Sequence, residues 1–223
     1  MVEASLSRTV QSLIQDDPPL QDALRRGYGN YSAIARLLKP RVEKALGRKV
    51  ALEGLITAVK RAKPGFAPSS EYLKIIAGSV INLRTDVAKI SLEKTRRNLE
   101  KARLISADFP EAFFQVLEGA TTLTLVTDQR IFDRIQSVFR EVETLEEKEN
   151  LTAIIVQSPR GIVDTPGCIA SFYNSIAMAQ INIEETISCF TETIIVLGRE
   201  DAVRAFSLLT DLITNARKTT SAL

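Results

Sequence analysis

The sequence predicts an α+β protein: a helical N-terminal head followed by two successive β-α-β-β-α patterns. Three observations carry that reading. Apolar residues recur at helical spacing through the first 63 residues. Beyond Lys63-Pro64-Gly65-Phe66-Ala67-Pro68-Ser69-Ser70, a stretch with two prolines and a glycine that reads as a linker, runs of strand formers alternate with amphipathic stripes. Those alternating segments occur twice at similar length, an internal repeat of structure.

Taken in order, Val10, Leu13 and Ile14 share a face of a first helix, which Asp16-Asp17-Pro18-Pro19 stops. Leu20, Ala23 and Leu24 mark a short second helix, ended by Gly27-Tyr28-Gly29. Asn30 or Ser32 can cap a third, striped by Ile34, Ala35, Leu37 and Leu38; Pro40 kinks or restarts it before Gly47. A fourth carries Leu52, Leu55, Ile56 and Val59. After a short helix near Glu71–Ala77, Val80–Leu83 and Val87–Leu92 read as two strands and Arg96–Ile105 as a helix. Ala112–Leu117 and Thr121–Thr127 read as a hairpin, Ile131–Phe139 as a helix and Val142–Glu147 as a closing strand. The second copy runs through a strand at Leu151–Val156, a helix with Ile169, Phe172, Tyr173 and Ile176, strands at Ile183–Phe190 and Thr193–Leu197, and a helix from Ala202 to Ile213. Each copy is ferredoxin-like (βαββαβ), an antiparallel sheet with two helices on one face. The expected division is 1–65 for the helical head, 66–149 for the first repeat and 150–223 for the second. Because Asn215–Leu223 has no strand pattern, the second sheet lacks its closing strand and an open edge invites pairing. Val80–Leu83, which the first repeat does not need, is expected to fill it and interlock the two repeats.

Composition narrows the function classes. The chain has no histidine, which removes the usual general base and the commonest metal ligand. Its two cysteines cannot form a disulfide framework or a four-thiolate zinc site. No catalytic residue, metal or cofactor is therefore assigned. No apolar run approaches the roughly 18 residues of a membrane span, and MVEASLSRTV lacks the pattern of a secretory signal, so a cytoplasmic protein without membrane contact is expected. Residues 1–65 hold 12 Lys/Arg against 6 Asp/Glu, and residues 66–223 hold 17 against 21. That asymmetry suggests an anionic partner for the head, against the alternative of a solvated helical surface.

The most informative motif lies in the second copy: I-V-D-T-P-G-C-I-A at Ile162–Ala170, followed by A-Q-I-N-I-E-E-T-I-S at Ala179–Ser188. A strand, a loop ending in Thr165-Pro166-Gly167, a helix over Cys168–Ala179 and an Asn182-Ile183 pair resemble the ACT domain, in particular the regulatory part of aspartokinases. The resemblance covers about Leu151 to Ile213, and it implies tandem interlocking domains that sense a free amino acid or assemble without one. The local chemistry suits a zwitterion. Gly167 admits a ligand close to the backbone, and the start of a helix at Cys168-Ile169 leaves free N–H groups for a carboxylate. Asp164 can meet an ammonium group, and Asn182 offers both a donor and an acceptor. The resemblance adds Thr191 and Glu192 as a far wall. The implied site is thus Asp164, Thr165, Pro166, Gly167, Cys168, Ile169, Asn182, Ile183, Thr191 and Glu192, lying against a subunit or repeat interface. Cys168, at a helix start, is either a thiol of lowered pKa or a small apolar packing residue. The first copy has Glu93-Lys94-Thr95-Arg96 in place of Pro-Gly and no Asn-Ile, and resembles a degenerate repeat without a complete site.

The head is the second functional element. Asn30–Leu38 is similar to the first helix of a helix-turn-helix, which would place Lys60, Arg61 and Lys63 toward DNA phosphates, although about ten residues intervene where a tight turn belongs. The block also resembles helical regions that precede ACT domains in archaeal proteins. The expected function is a non-catalytic regulator, a homodimer or higher oligomer, that passes an amino-acid signal to DNA or to a partner enzyme. The alternative is an adaptor or regulatory subunit that uses its repeats only to assemble. An aspartokinase itself is not expected, since no Gly-rich phosphate loop is present.

Overall fold

A computed structural model describes residues 5–25, 27–62, 70–142 and 144–221. The chain divides into two compact units, Met1–Pro68 and Ser69–Leu223. Most of the linker read at Lys63–Ser70, and with it Lys63, lies outside the described residues.

The first unit is helical: α1 (Leu6–Gln15), α2 (Pro18–Arg25), α3 (Tyr31–Leu46) and α4 (Leu52–Arg61). Ser5 caps α1 by accepting the Arg8 N–H, and Asn30 caps α3 by accepting the Ser32 and Ala33 N–H groups. The core joins Val10 and Ile14 of α1, Ile34, Ala35, Leu38 and Val42 of α3, and Leu55, Ala58 and Val59 of α4. Pro40 does not end α3. Burial of Leu38 and Val42 on either side holds the helix through it, and Gly47, in the left-handed region at φ 65°, stops it. Residues 47–51 then connect α3 to α4, so five residues intervene where the sequence suggested about ten.

The second unit contains α5 (Ser70–Gly78), β1 (Val80–Glu93), α6 (Arg96–Asp108), β2 (Phe114–Glu118), β3 (Thr122–Asp128), α7 (Phe132–Phe139), β4 (Thr144–Gln157), α8 (Cys168–Met178), β5 (Glu185–Cys189), β6 (Glu192–Gly198) and α9 (Ala202–Ser221). Its strands form one antiparallel sheet in the order β2-β3-β1-β4-β6-β5. The two central strands are 14 residues each, where the sequence suggested four short ones. Asp86 (φ 55°) and Asn150 (φ 57°), which read as breaks, sit in the left-handed region inside continuous strands. The ladder between β1 and β4 slips there, from Arg84↔Ala153 to Val87↔Leu151. Asp and Asn adopt this conformation at little cost, so each serves as a bulge that redirects its strand.

The two halves of each long strand have different neighbours. Val87–Glu93 pairs with β3, and Leu151–Gln157 pairs with β6. Val80–Arg84 pairs with Ala153–Gln157 of β4, the pairing that the missing strand called for. Ala88, Ile90 and Leu92 pack with Leu123 and Leu125 under α6 and α7. Ile154, Val156, Ile195 and Leu197 pack under α5, α8 and α9. The alternate positions Val87, Val126, Leu151, Ala153, Ile194 and Val196 form a third apolar cluster on the other side of the sheet. The polar tail read after the last helix continues that helix, and Arg217 Nε and Nη2 there donate to the carbonyls of Ala77 and Ser79.

Candidate functional site

β4 ends at Gln157, and the next N–H, of Ser158, donates to the Thr191 carbonyl at 2.9 Å. Gln157 Nε2 donates to Glu192 Oε1 at 2.9 Å. Thr191 and Glu192 therefore stand beside the root of the loop that carries Asp164 to Gly167. A short 3₁₀ turn at Arg160–Val163, with Ile162 buried, leads to an exposed Asp164. Gly167 has φ 89°, a conformation that favours a residue without Cβ, and directly precedes α8. No side chain caps that helix start. The N–H groups of its first turn, at the positive end of the helix dipole, thus remain available to an anion. Cys168 is buried among Phe172, Ile176 and Ile154, and burial pushes its thiol up from the usual range. It is a packing residue in an apolar setting, and the lowered pKa considered above does not hold. Ile169 and Ile183 pack against the same core.

Asn182 and Ile183 lie elsewhere. β5 pairs with β6 from Cys189↔Glu192 to Glu185↔Val196, and β6 pairs with β4 from Glu192↔Gln157 to Gly198↔Leu151. The loop at Ser158–Gly167 leaves the Gln157 end, whereas Asn182 precedes β5 at the Gly198 end. At about 3.3 Å per residue the five residues of β5 alone separate those ends by roughly 17 Å. Within one chain, Thr191 and Glu192 border the root of the loop that leads to Asp164 and Gly167, and Asn182 lies at the other end of the strands.

Charged groups outside the implied set of site residues converge at Asn182. The ammonium of Lys89, with the side chain 5% exposed, lies 2.9 Å from Glu146 and 3.5 Å from Glu184, and donates to the Glu184 carbonyl at 3.0 Å. Lys148 donates to Glu184 at 2.6 Å, and Asn182 Nδ2 donates to the other Glu184 oxygen at 3.0 Å. The Lys148 bond, opposed by burial, holds the Glu184 carboxyl below its ordinary 4.5; the Lys89 bond does the same for Glu146. Sequence reasoning passed over this network because a lysine in an alternating strand reads as a solvent-facing position, and its partner lies 95 residues away.

A second cluster sits at the bulge of β1. Arg84 forms a two-pronged pair with Asp128 at 2.8 Å and 2.8 Å, over the Phe113 ring, and Arg130 adds a contact at 3.2 Å. Burial pushes the Asp128 carboxyl up, but the bonds from Arg84, the Phe113 N–H and Arg130 outweigh it and leave it below its ordinary 3.8. These residues border an open cleft of about 640 Å³ that contains none of the motif residues. Among the described residues no group of three or more His, Cys, Asp or Glu side chains is placed to hold a metal ion. Also among them, no helix is long and apolar enough to cross a membrane. In the head, Lys60 and Arg61 are exposed on the last turn of α4, with the Lys60 ammonium 5.9 Å from the centre of the Tyr31 ring.

The chain matches no protein-family model and no curated protein. It is similar to solved structures of aspartate kinases. The enzyme from Synechocystis aligns at 15% identity and a TM-score of 0.54, over 62% of this chain and 27% of that one. The regulatory subunit of aspartate kinase from Thermus flavus aligns at 15% identity and 0.50, over 59% and 95%. A structure of aspartokinase alpha and beta subunits aligns at 10% identity and 0.50, over 60% and 97%. These shares exceed what the helical unit could supply, so the likeness extends into the sheet unit. At such identities it is one of fold: the greater part of this chain is folded like the regulatory subunit of aspartate kinase.

Proposed function

We propose that this chain is a non-catalytic regulator whose sheet unit is a pair of interlocked ACT-type repeats and senses a free amino acid. The observation that carries the reading is Gly167, held left-handed at an uncapped helix start, in a fold shared with an aspartate kinase regulatory subunit. The free N–H groups of α8 receive the α-carboxylate and Asp164 receives an ammonium group. Because Asn182 and Ile183 stand at the other end of the strands, they meet this loop only across two copies, so the complete site lies at a homodimer interface. β2 and β5, the outermost strands of the sheet, are the edges available for such an assembly. Ligand binding that favours one assembly over another then shifts their populations and is passed through the helical head to DNA or a partner enzyme.

A thermal-shift screen against the twenty amino acids tests the sensing. A ligand at 100 times its dissociation constant stabilises by about 2.7 kcal/mol. Stabilisation by none of them, with an unchanged oligomer by light scattering, refutes sensing and leaves an adaptor that only assembles. The head is tested separately by titrating the chain with duplex DNA at low salt. Lys60→Ala with Arg61→Ala should weaken binding to all sequences and reduce its salt dependence. Absence of any binding at low salt removes DNA and leaves the partner enzyme.

A further inference from the structure

We propose that Glu184 is a positioning residue that locks the Asn182 side chain so that it offers a ligand only its Oδ1 oxygen, which makes this end of β5 a reader of hydrogen-bond donors, the ammonium group of an amino acid above all. The inference rests on the amino-acid reading given above and names which group of that ligand Asn182 recognises.

A free asparagine amide is ambidextrous, since it can turn either its oxygen or its nitrogen outward. Here one side of the amide faces a carboxylate. Glu184 Oε1 lies 3.0 Å from Asn182 Nδ2, and Glu184 Oε2 accepts from Lys148 at 2.6 Å and stands 3.5 Å from Lys89. An ionised carboxylate only accepts, so only the NH₂ group of Asn182 can face it. The orientation follows from chemistry, and a turned amide would set oxygen against oxygen. Asn182 is exposed, and among the described residues its Oδ1 receives no bond.

Glu184 is itself held from three sides. Its side chain is only 14% exposed, Lys148 and Lys89 grip the carboxylate, and Lys89 also donates to its backbone carbonyl. Lys89 is tied in turn to Glu146 at 2.9 Å, and Lys148 to Glu146 at 3.4 Å. Both lysines stand on the central strands, opposite each other in the ladder. The exposed amide is thereby fixed to the most rigid part of the sheet through two buried or half-buried side chains, which is how a recognition group keeps one orientation before the ligand arrives.

The test uses the full chain and two readouts. Without ligand, the Asn182 side-chain amide is followed by ¹H–¹⁵N NMR, assigned by its loss in Asn182→Asp. Glu184→Gln, whose own amide can turn either way, should move the two Asn182 amide protons toward the positions of a free amide, whereas Glu185→Gln should leave them in place. Lys148→Met, which leaves the carboxylate, should move them in the same direction and covers the case in which Glu184→Gln fails to fold. Unmoved signals in the folded variants overturn the lock. With ligand, the probes are the twenty amino acids and their N-acetyl forms. An amino acid that binds the unaltered chain should be preferred over its N-acetyl form, and that ratio should fall about tenfold in Glu184→Gln. An unchanged ratio overturns the specificity role. If no amino acid binds the unaltered chain, the sensing reading falls, and the lock stands or falls on the NMR signals alone.

Discussion

Replacing Lys89 by methionine tests the charged centre of the sheet. The perturbation removes an ammonium that is 5% exposed and leaves three acceptors behind: Glu146, Glu184 and the Glu184 carbonyl. Removing one partner of a fully buried pair costs about 3–5 kcal/mol. Here two facts reduce it. Glu146 is 42% exposed, so water solvates the abandoned carboxylate, and Glu184 keeps Lys148 at 2.6 Å. Methionine also keeps the apolar stem of the lysine in place. The expected loss is therefore about 1–3 kcal/mol, or roughly 2–12 °C in Tm for a chain of this size. Its pH dependence has a definite sign. The folded Glu146 and Glu184 carboxyls titrate below their ordinary 4.5, so their pairs stabilise the fold above pH 4.5, and this contribution is lost as pH falls through the folded values. The Lys89 bond is the main cause for Glu146, while Lys148 is the main cause for Glu184. Lys89→Met should thus lose most of the Glu146 contribution and retain most of that from Glu184. Urea denaturation followed by circular dichroism, at pH 7 and at steps below 4.5, should show a gap between the two proteins that narrows toward acid. A variant as stable as the unaltered chain at pH 7, or a gap that does not change with pH, refutes the reasoning.

Two further outcomes follow from single positions. Gly167→Val places a β-branched side chain at φ 89° and should cost about 1–3 kcal/mol in thermal stability. It should also abolish stabilisation by any amino acid found to bind, and a variant that still binds it would separate this loop from the site. Phe172→Ala empties one of the largest fully buried positions, between α8 and the sheet, and should cost about 3–5 kcal/mol in urea denaturation; a loss below 1 kcal/mol would contradict the packing described.

The elements legible in the sequence are those whose signal is local. Of the stripe Ile34, Ala35, Leu37 and Leu38, all but the exposed Leu37 lie on the buried face of α3, and Ile169, Phe172, Tyr173 and Ile176 all join the α8 side of the core. Thr95, directly before the helix read at Arg96–Ile105, caps α6 by accepting the Asn98 N–H. What could not be read depends on distant partners. Thr85-Asp86 and Glu149-Asn150 look like turns, and only the facing strand, which supplies a ladder on both sides of each bulge, shows that the chain passes straight through. Pro40 looks like a break because the apolar residues that hold α3 on either side are buried by α1 and α4, not by α3 itself. Within the candidate site, Gly167 was legible because its conformational role is written in Thr-Pro-Gly before an apolar helix. Glu184 was not, since nothing near it announces Lys89 and Lys148 on the other strands.

The dependence of the C-terminal half on a strand that precedes it can be put to a direct test by truncation. Val80–Arg84 covers one edge of Ala153–Gln157, and the helix that leads into it, α5, places Ile75 and Ile76 at 2% and 1% exposure in the core under α8 and α9. Arg217 of α9 then clasps the carbonyls of Ala77 and Ser79. A fragment starting at Val87 keeps every later element but loses all of these. Two buried isoleucines are worth about 1.5–3 kcal/mol each, so about 3–6 kcal/mol goes with α5 alone. The open edge at Ala153–Gln157 adds five unpaired residues between apolar side chains, which invites aggregation. Against a typical total stability of about 5–15 kcal/mol, that loss should leave the fragment from Val87 unfolded or aggregated, whereas Ser69–Leu223 should unfold cooperatively. Circular dichroism melts and light scattering of the two fragments, side by side, decide the matter. A fragment from Val87, or one from Asn150, that is monomeric and melts like the longer one would show that the C-terminal sheet closes without Val80–Arg84, and the interlocked reading of the two repeats would have to be given up.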